Sequence, residues 1–203
     1  MKLIQGAGGN FLRFGHLRVV NVPIRHVVCI QLQSTAFSDV IDSTVEESAL
    51  LKDWVDNHIS AVPYVSERAF YKLEPTVKII IIDSNCMNSK NITRLSFEKF
   101  SNLELIRIKS FSFSYTSTLL IDSLQKLKCV IIEDWCFKSN LESSSCFLIN
   151  CPSLQEIDIG NHSMEDYSMF TLNNLPSLRV LHIEGYCFRK CPAFILDSII
   201  TFI

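Results

Sequence analysis

The sequence predicts a solenoid in the α/β to mostly β class, wound from stacked turns of about 25 residues. Three observations predict it. An apolar template recurs along the chain, seen at Leu154, Ile157, Ile159 and Met164, then at Phe170, Leu172 and Leu175. Its openings fall at Val77, Leu103, Leu127, Leu154 and Leu178, at spacings of 26, 24, 27 and 24 residues. Each opening (VKIIII, LELIRI, LKCVII, LQEIDI, LRVLHI) ends in the period-two apolar pattern of a strand with one inward face. Each turn is expected to open with one short strand, and few regular helices are expected.

Composition narrows the function classes. The formal net charge of −2 over 203 residues, with no basic stripe, argues against nucleic acid and against an anionic membrane surface. The longest apolar runs are a handful of residues, so no membrane span is expected. MKLIQGAGGNFLRFGHL has no long apolar stretch after its charge, so no signal peptide is read and a cytoplasmic location is expected. The 48% hydrophobic content suffices for a core shared between turns.

In chain order, residues 1–70 read as an N-terminal cap and 71–203 as the repeats, incomplete at the C-terminus. Gly6, Gly8 and Gly9 lack the lysine of a phosphate-cradling loop and read as a loose terminus. Residues 17–40 hold a divergent repeat: Val27, Ile30, Leu32 and Phe37 follow the template spacing, with Ala36 just before the aromatic. Residues 43–59 switch to helical period, with Val45, Ala49, Trp54, Val55 and Ile59 on one broad face. Ser43 and Glu46 form a capping box and Pro63 follows the end, so one N-terminal helix is expected there, packed on the solenoid as a cap or insert. Residues 65–70 offer a half-repeat ending in Ala69–Phe70.

From Val77 each turn has the same parts. After the strand comes a wedge, Met87, Phe113, Phe137, Met164 or Phe188. It is preceded by a small residue, Cys86, Ser112, Cys136, Ser163 or Cys187, which lets the backbone turn tightly. The back half returns to period two, in Leu95-x-Phe97, Leu119-x-Ile121, Cys146-x-Leu148, Phe170-x-Leu172 and Phe194-x-Leu196. A second short extended segment is expected there rather than a helix. A last inward residue follows: Phe100, Leu124, Cys151, Leu175 and Ile199.

The LxxIxI opening, followed by Gly160 and the wedge pair, resembles the leucine-rich-repeat superfamily. Cys136–Phe137, Cys187–Phe188 and Ala36–Phe37 are similar to the IGxxAF signature of its irregular BspA-like class. The resemblance covers residues 71–203 and, more weakly, 17–40. It implies a leucine-rich-repeat solenoid with a parallel sheet of one strand per turn, which binds protein and carries no catalytic residues. One position departs from the common repeat. Three residues past the strand, where an Asn usually ties loops together, only Asn85 conforms, and the others are Phe111, Trp135, His162 and Tyr186. An Asn ladder at that position is therefore not the general glue.

Cys86, Cys136 and Cys187 fill the small position and Cys146 and Cys151 inward ones, while Cys29 and Cys129 face outward on strands, and Cys acts as a small hydrophobe in such places. No CxxC pair or zinc spacing is present, and no metal or cofactor is expected. Cys86, Cys136 and Cys187 sit on alternate turns about 10 Å apart, too far to form disulfides with one another. The sequons at Asn91 and Asn161 carry no meaning without secretion.

The outward strand face is where function is expected. Ile79, Ile81, Leu105 and Ile131 break the polar alternation of a solvated sheet face, so either a partner or the helix near 43–59 covers them. Asp158 and His182 fall at equivalent positions of adjacent turns. They make an Asp–His pair without a nucleophile on the same rung, read as a surface ion pair. Phe111, Trp135, His162 and Tyr186 are too large for the inward Asn pocket and should line one rim of the sheet. The reading that follows is a non-catalytic scaffold for an unknown protein partner. Its partner-binding residues would be Ile81, Leu105, Arg107, Phe111, Ile131, Trp135, Asp158, His182 and Tyr186. The alternative is a metal-assisted hydrolase centred on Asp158 and His182. A substrate adaptor of a ubiquitin ligase is a third thought, by analogy only. The apolar C-terminal end, Phe194 to Phe202, is expected to be exposed and to support end-to-end self-association, or to mark a truncated chain.

Overall fold

The structure, a computed structural model, describes residues 3–6, 16–20, 30–32, 64–65, 70–71, 73–139 and 143–197. Fourteen strands are found among them. The first four are β1 (Leu3–Gly6), β2 (His16–Val20), β3 (Ile30–Leu32) and β4 (Tyr64–Val65). Then come β5 (Ile79–Ile82), β6 (Arg94–Ser96), β7 (Leu105–Ile108), β8 (Thr118–Asp122) and β9 (Cys129–Ile132). The rest are β10 (Ser145–Ile149), β11 (Glu156–Ile159), β12 (Met169–Asn173), β13 (Val180–Ile183) and β14 (Ala193–Asp197). They form a parallel β-solenoid of about five turns. One sheet runs β3-β1-β13-β11-β9-β7-β5-β4 and the other β2-β14-β12-β10-β8-β6.

The expected sheet of one strand per turn is the first of these. The extended back segments form the second, so each turn is two strands joined by two corners. The inward rows follow from period two. Ile80 and Ile82, Ile106 and Ile108, Val130 and Ile132, Ile157 and Ile159, and Leu181 and Ile183 point from the first sheet into the core. Leu95, Leu119, Cys146, Phe170 and Phe194, with their partners two residues on, meet them from the second. The openings Leu103, Leu127, Leu154 and Leu178 and all five wedges are buried in the same cluster. The Phe113 and Phe137 wedges stack at 5.0 Å, and Phe70 packs edge-on against Phe97 and Phe100. Burying each large side chain stabilises by about 1.5–3 kcal/mol relative to exposure. No turn can do this without its neighbours.

The corner after the second sheet carries a polar ladder. Ser123, Asn150 and Asn174 hold φ of 59°, 54° and 52°. Short polar side chains tolerate this left-handed conformation by bonding locally. Their N–H groups donate to Ile149, Asn173 and Asp197 of the following turn at 3.0–3.2 Å. Asn150 Nδ2 donates to Asp122 at 2.9 Å and Asn174 Nδ2 to Asn150 at 3.0 Å. The asparagine ladder missing from the front corner is thus built at the back one.

The N-terminal strands differ from expectation in place. They do not precede the turn that opens at Val77. β1 lies parallel on β13 and β2 on β14, so the C-terminal end expected to be exposed is paired. The reason is that β13 and β14 present unpaired edges that any in-register strand can satisfy. β4 pairs with β5 at the opposite end. The helix expected at 43–59, the Ala36–Phe37 pair, Cys29, Ile199 and Phe202 lie outside the described residues. No helix among the described residues is long and apolar enough to cross a membrane.

Candidate functional site

The front corner, between the first sheet and the wedge, places the candidate site. Two residues in every turn, two apart, take left-handed conformations: Asn85 and Met87, Phe111 and Phe113, Trp135 and Phe137, His162 and Met164, Tyr186 and Phe188, all with φ between 51° and 64°. For non-glycine residues each such conformation costs roughly 1–2 kcal/mol. It persists because the surrounding ladder fixes it. The N–H of Asn85, Phe111, Trp135 and His162 donates to the next turn, at Ser110, Asp134, Asn161 and Gly185, over 2.8–3.0 Å. The N–H of Phe113, Phe137 and Met164 donates to the preceding turn, at Cys86, Ser112 and Cys136, over 2.9–3.1 Å. The first left-handed residue is thrown outward and the second inward. That is why one aromatic becomes rim and the next becomes wedge.

The small residue between them is more than small. The Ser112 hydroxyl donates to the Asp83 carbonyl at 2.9 Å and accepts the Cys86 N–H at 3.2 Å. The Ser163 hydroxyl donates to Glu133 at 2.7 Å and accepts the Cys136 N–H at 2.9 Å. The Cys136 and Cys187 thiols donate to Lys109 and Gly160 at 3.2 and 3.0 Å. Serine and cysteine alternate as rungs of one buried ladder, the front counterpart of the asparagines behind. Burial pushes the Cys136 thiol up to about 12 and holds Cys187 well above its ordinary range, so both stay protonated donors. Among the described residues the seven cysteines are thiols and form no disulfide.

The rim itself is a stack. Phe111 lies against Trp135 at 6.4 Å between ring centroids, Trp135 against His162 at 4.0 Å, and His162 against Tyr186 at 4.5 Å, with interplanar angles of 11°, 11° and 3°. The faces are spent on one another and the edges are left to solvent. Phe111, Trp135 and Tyr186 remain 50%, 38% and 44% exposed. Lys138 sits 4.7 Å over the Trp135 ring. Its ammonium also binds Glu165 at 2.7 Å, and Glu165 holds Arg189 at 3.0 Å and approaches His162 Nδ1 at 3.4 Å. Partial burial raises the Glu165 pKa, but Lys138, His162 and Arg189 together lower it further, and the carboxyl lies below its usual range.

The strand face places the other expected residues in register. Ile81, Arg107, Ile131, Asp158 and His182 form one row across β5, β7, β9, β11 and β13, and Leu105 belongs to the row beside it. Ile81, Leu105 and Ile131 are 0–3% exposed, and Asp158 is buried as well. Leu105, Cys129 and Ile131, with Ile79 packed against them, make an apolar cluster separate from the main core. The structure therefore brings these residues together but leaves the apolar ones no open surface. A groove of about 250 Å³ opens toward the strand ends, lined by Arg107, Ile131, Glu133, Asp134, Asp158 and Glu184 among others. Arg107 is fixed there by Glu133, with Nε and Nη2 both 2.9 Å from one carboxylate oxygen. Gly160 is demanded by that packing, since a Cβ would fall 2.5 Å from Asp134 Oδ1 and 2.8 Å from its backbone nitrogen.

Asp158 and His182 meet at 2.9 Å between Oδ1 and Nδ1. Cys129, the cysteine on this face among the described residues, is held protonated by burial and by Glu156 and Asp158. It is a poor nucleophile for that pair. Among the described residues no three His, Cys, Asp or Glu side chains converge to hold a metal ion.

Two features escaped the sequence reading: the Ser/Cys ladder and the back asparagine ladder. The signals were present. Cys and Ser alternate at one register position, and Asn150 and Asn174 each stand two residues before a proline in NCPSL and NLPSL. The chain matches no family model, no curated protein and no solved structure.

Proposed function

We propose that the protein is a non-catalytic scaffold that binds a protein partner through the front rim, Phe111, Trp135, His162 and Tyr186, with the adjoining groove at Arg107 supplying the polar contacts. The observation that carries this is the exposed file of rings held on a rigid corner. Aromatic residues and Arg contribute the largest share of binding energy at interfaces. A rim that is already stacked loses little side-chain freedom when a partner arrives. Ile81, Leu105 and Ile131 of the strand face are buried, so in this reading the rim and groove carry the contact. Membership of the irregular BspA-like leucine-rich-repeat class is part of the same proposal, resting on the LxxIxI openings and the small-plus-aromatic pairs. So is end-to-end association of copies, resting on the strand edges at the ends of the stack.

The test is capture by the immobilised chain with and without Trp135→Asn plus Tyr186→Asn, in the presence and absence of a chelator. Capture that survives chelation and disappears in the double variant is expected. Capture unchanged in the double variant contradicts the rim. The Asp158–His182 contact favours a metal-assisted hydrolase as the second reading, which predicts metal-dependent turnover abolished by His182→Ala.

A further inference from the structure

We propose that the N-terminal turn, β1 to β3, is an exchangeable cap: it closes the far end of the stack in its own chain and can close the same end of a second copy of this chain. This deepens the end-to-end association proposed above and rests on it.

The observation is the strand order. Along the first sheet the chain advances from β5 to β13 and then starts again with β1 and β3. β1 continues the direction of the stack, parallel and in register, from Leu3 opposite Val180 to Gly6 opposite Ile183. Gln5 thereby extends the row of Asp158 and His182. β2 does the same on β14 over five positions, His16 to Val20 opposite Ala193 to Asp197. The N-terminal turn is thus built as the next turn after the last one. At the other end β4 sits on β5.

Within one chain, β3 and β4, separated by 31 residues of sequence, stand at opposite ends of the first sheet. The seven strand steps from β3 to β4 measure about 34 Å. A second copy removes the return. When β1 and β2 of one molecule pair with β13 and β14 of the next, every strand pairing named above is kept along the row except at its two ends, where one N-terminal turn and one β13–β14 edge are left over. The strands of each copy then follow one another in chain order, with β3 and β4 on the same side. Each added copy keeps the same strand pairings and only the two ends of the row go without, so protein concentration decides between the forms. A second copy of this chain fits that edge, because its N-terminal turn carries strands of matching length and register.

Arg18 and Ile195 face each other in the β2–β14 register. Neighbouring strands lie about 4.8 Å apart, within the span of a disulfide. Arg18→Cys and Ile195→Cys are made separately, mixed in equal amounts, oxidised and mapped by peptide mass. A dimer linked between the two substituted positions is expected. Its fraction should rise about tenfold for a tenfold increase in concentration while the dimer is the minor species. A chain carrying both substitutions is oxidised in parallel, and linkage confined to single chains of that variant, or no linkage in either sample, overturns the exchange. Sedimentation of the unsubstituted chain separates the two readings. Association without the cross-link keeps end-to-end contact and rejects the exchanged turn, whereas a monomer at every concentration rejects both. Neither position lies on the aromatic rim, so both outcomes leave the capture experiment intact.

Discussion

The Ser163 hydroxyl accepts the backbone N–H of Cys136 at 2.9 Å, one turn away, while donating to the Glu133 carbonyl at 2.7 Å. A single buried side chain thereby satisfies two backbone groups of the preceding turn. Ser163→Ala leaves both without a partner, and each buried orphan costs about 1–3 kcal/mol. Urea unfolding should show a loss of at least that size. Ser163→Cys keeps a donor of the kind used at Cys136 and Cys187 and should lose clearly less.

Gly160 is fixed by space. The Cβ of Gly160→Ala would meet the backbone of Glu133 and Asp134 inside 3.0 Å, so the corner has to move. Overpacking of this kind costs about 1–3 kcal/mol. A variant as stable as the wild type in the same urea titration would show that the two turns are further apart than described.

The five repeat openings, the inward rows and the rim position could all be read from the sequence, because period two and a period near 25 are carried by apolar residues whose burial leaves little choice. The second sheet was legible only as extended segments, since Leu119-x-Ile121 fixes an inward face but not a pairing partner. The ladders were harder. Ser112 and Ser163 look like space-savers until the facing carbonyls are placed, and the bonds span 26 to 30 residues. The burial of Ile81 and Leu105 was left between two causes. The order of the N-terminal strands was not legible at all, because β1 carries the same generic strand pattern as any other turn and nothing in it specifies which edge it joins.

The two aromatics of one corner should behave in opposite ways. Phe137 is a buried wedge, and Phe137→Ala should cost about 3–5 kcal/mol. Trp135 is on the rim with φ of 60°, a conformation that Asn adopts readily and that Asn85 holds in the first turn. In Trp135→Asn the relief of backbone strain offsets the lost ring stacking of about 0.5–1.5 kcal/mol per pair. Its urea midpoint should stay close to wild type. Equal losses in both variants would mean that the rim is as structural as the wedge.

Glu165 gives the fold an acid-sensitive tie. Its folded pKa lies below the ordinary glutamate value of about 4.5, so its contribution is fully present above that pH and is lost as pH falls through the folded pKa. Glu165→Gln should therefore be less stable than wild type at neutral pH, with the difference shrinking as pH drops below about 4.5. A difference that stays constant down to pH 3 would show that Lys138 and Arg189 do not hold the carboxylate.

The most direct test of rim binding is hydroxyl-radical footprinting of the chain alone and with its captured partner. Phe111, Trp135 and Tyr186 are exposed in the free chain and should be oxidised there, together with Tyr71, which is 59% exposed and off the rim. With partner bound, the three rim residues should become protected while Tyr71 is oxidised as before. Unchanged oxidation of Phe111, Trp135 and Tyr186 in the bound chain would contradict the account.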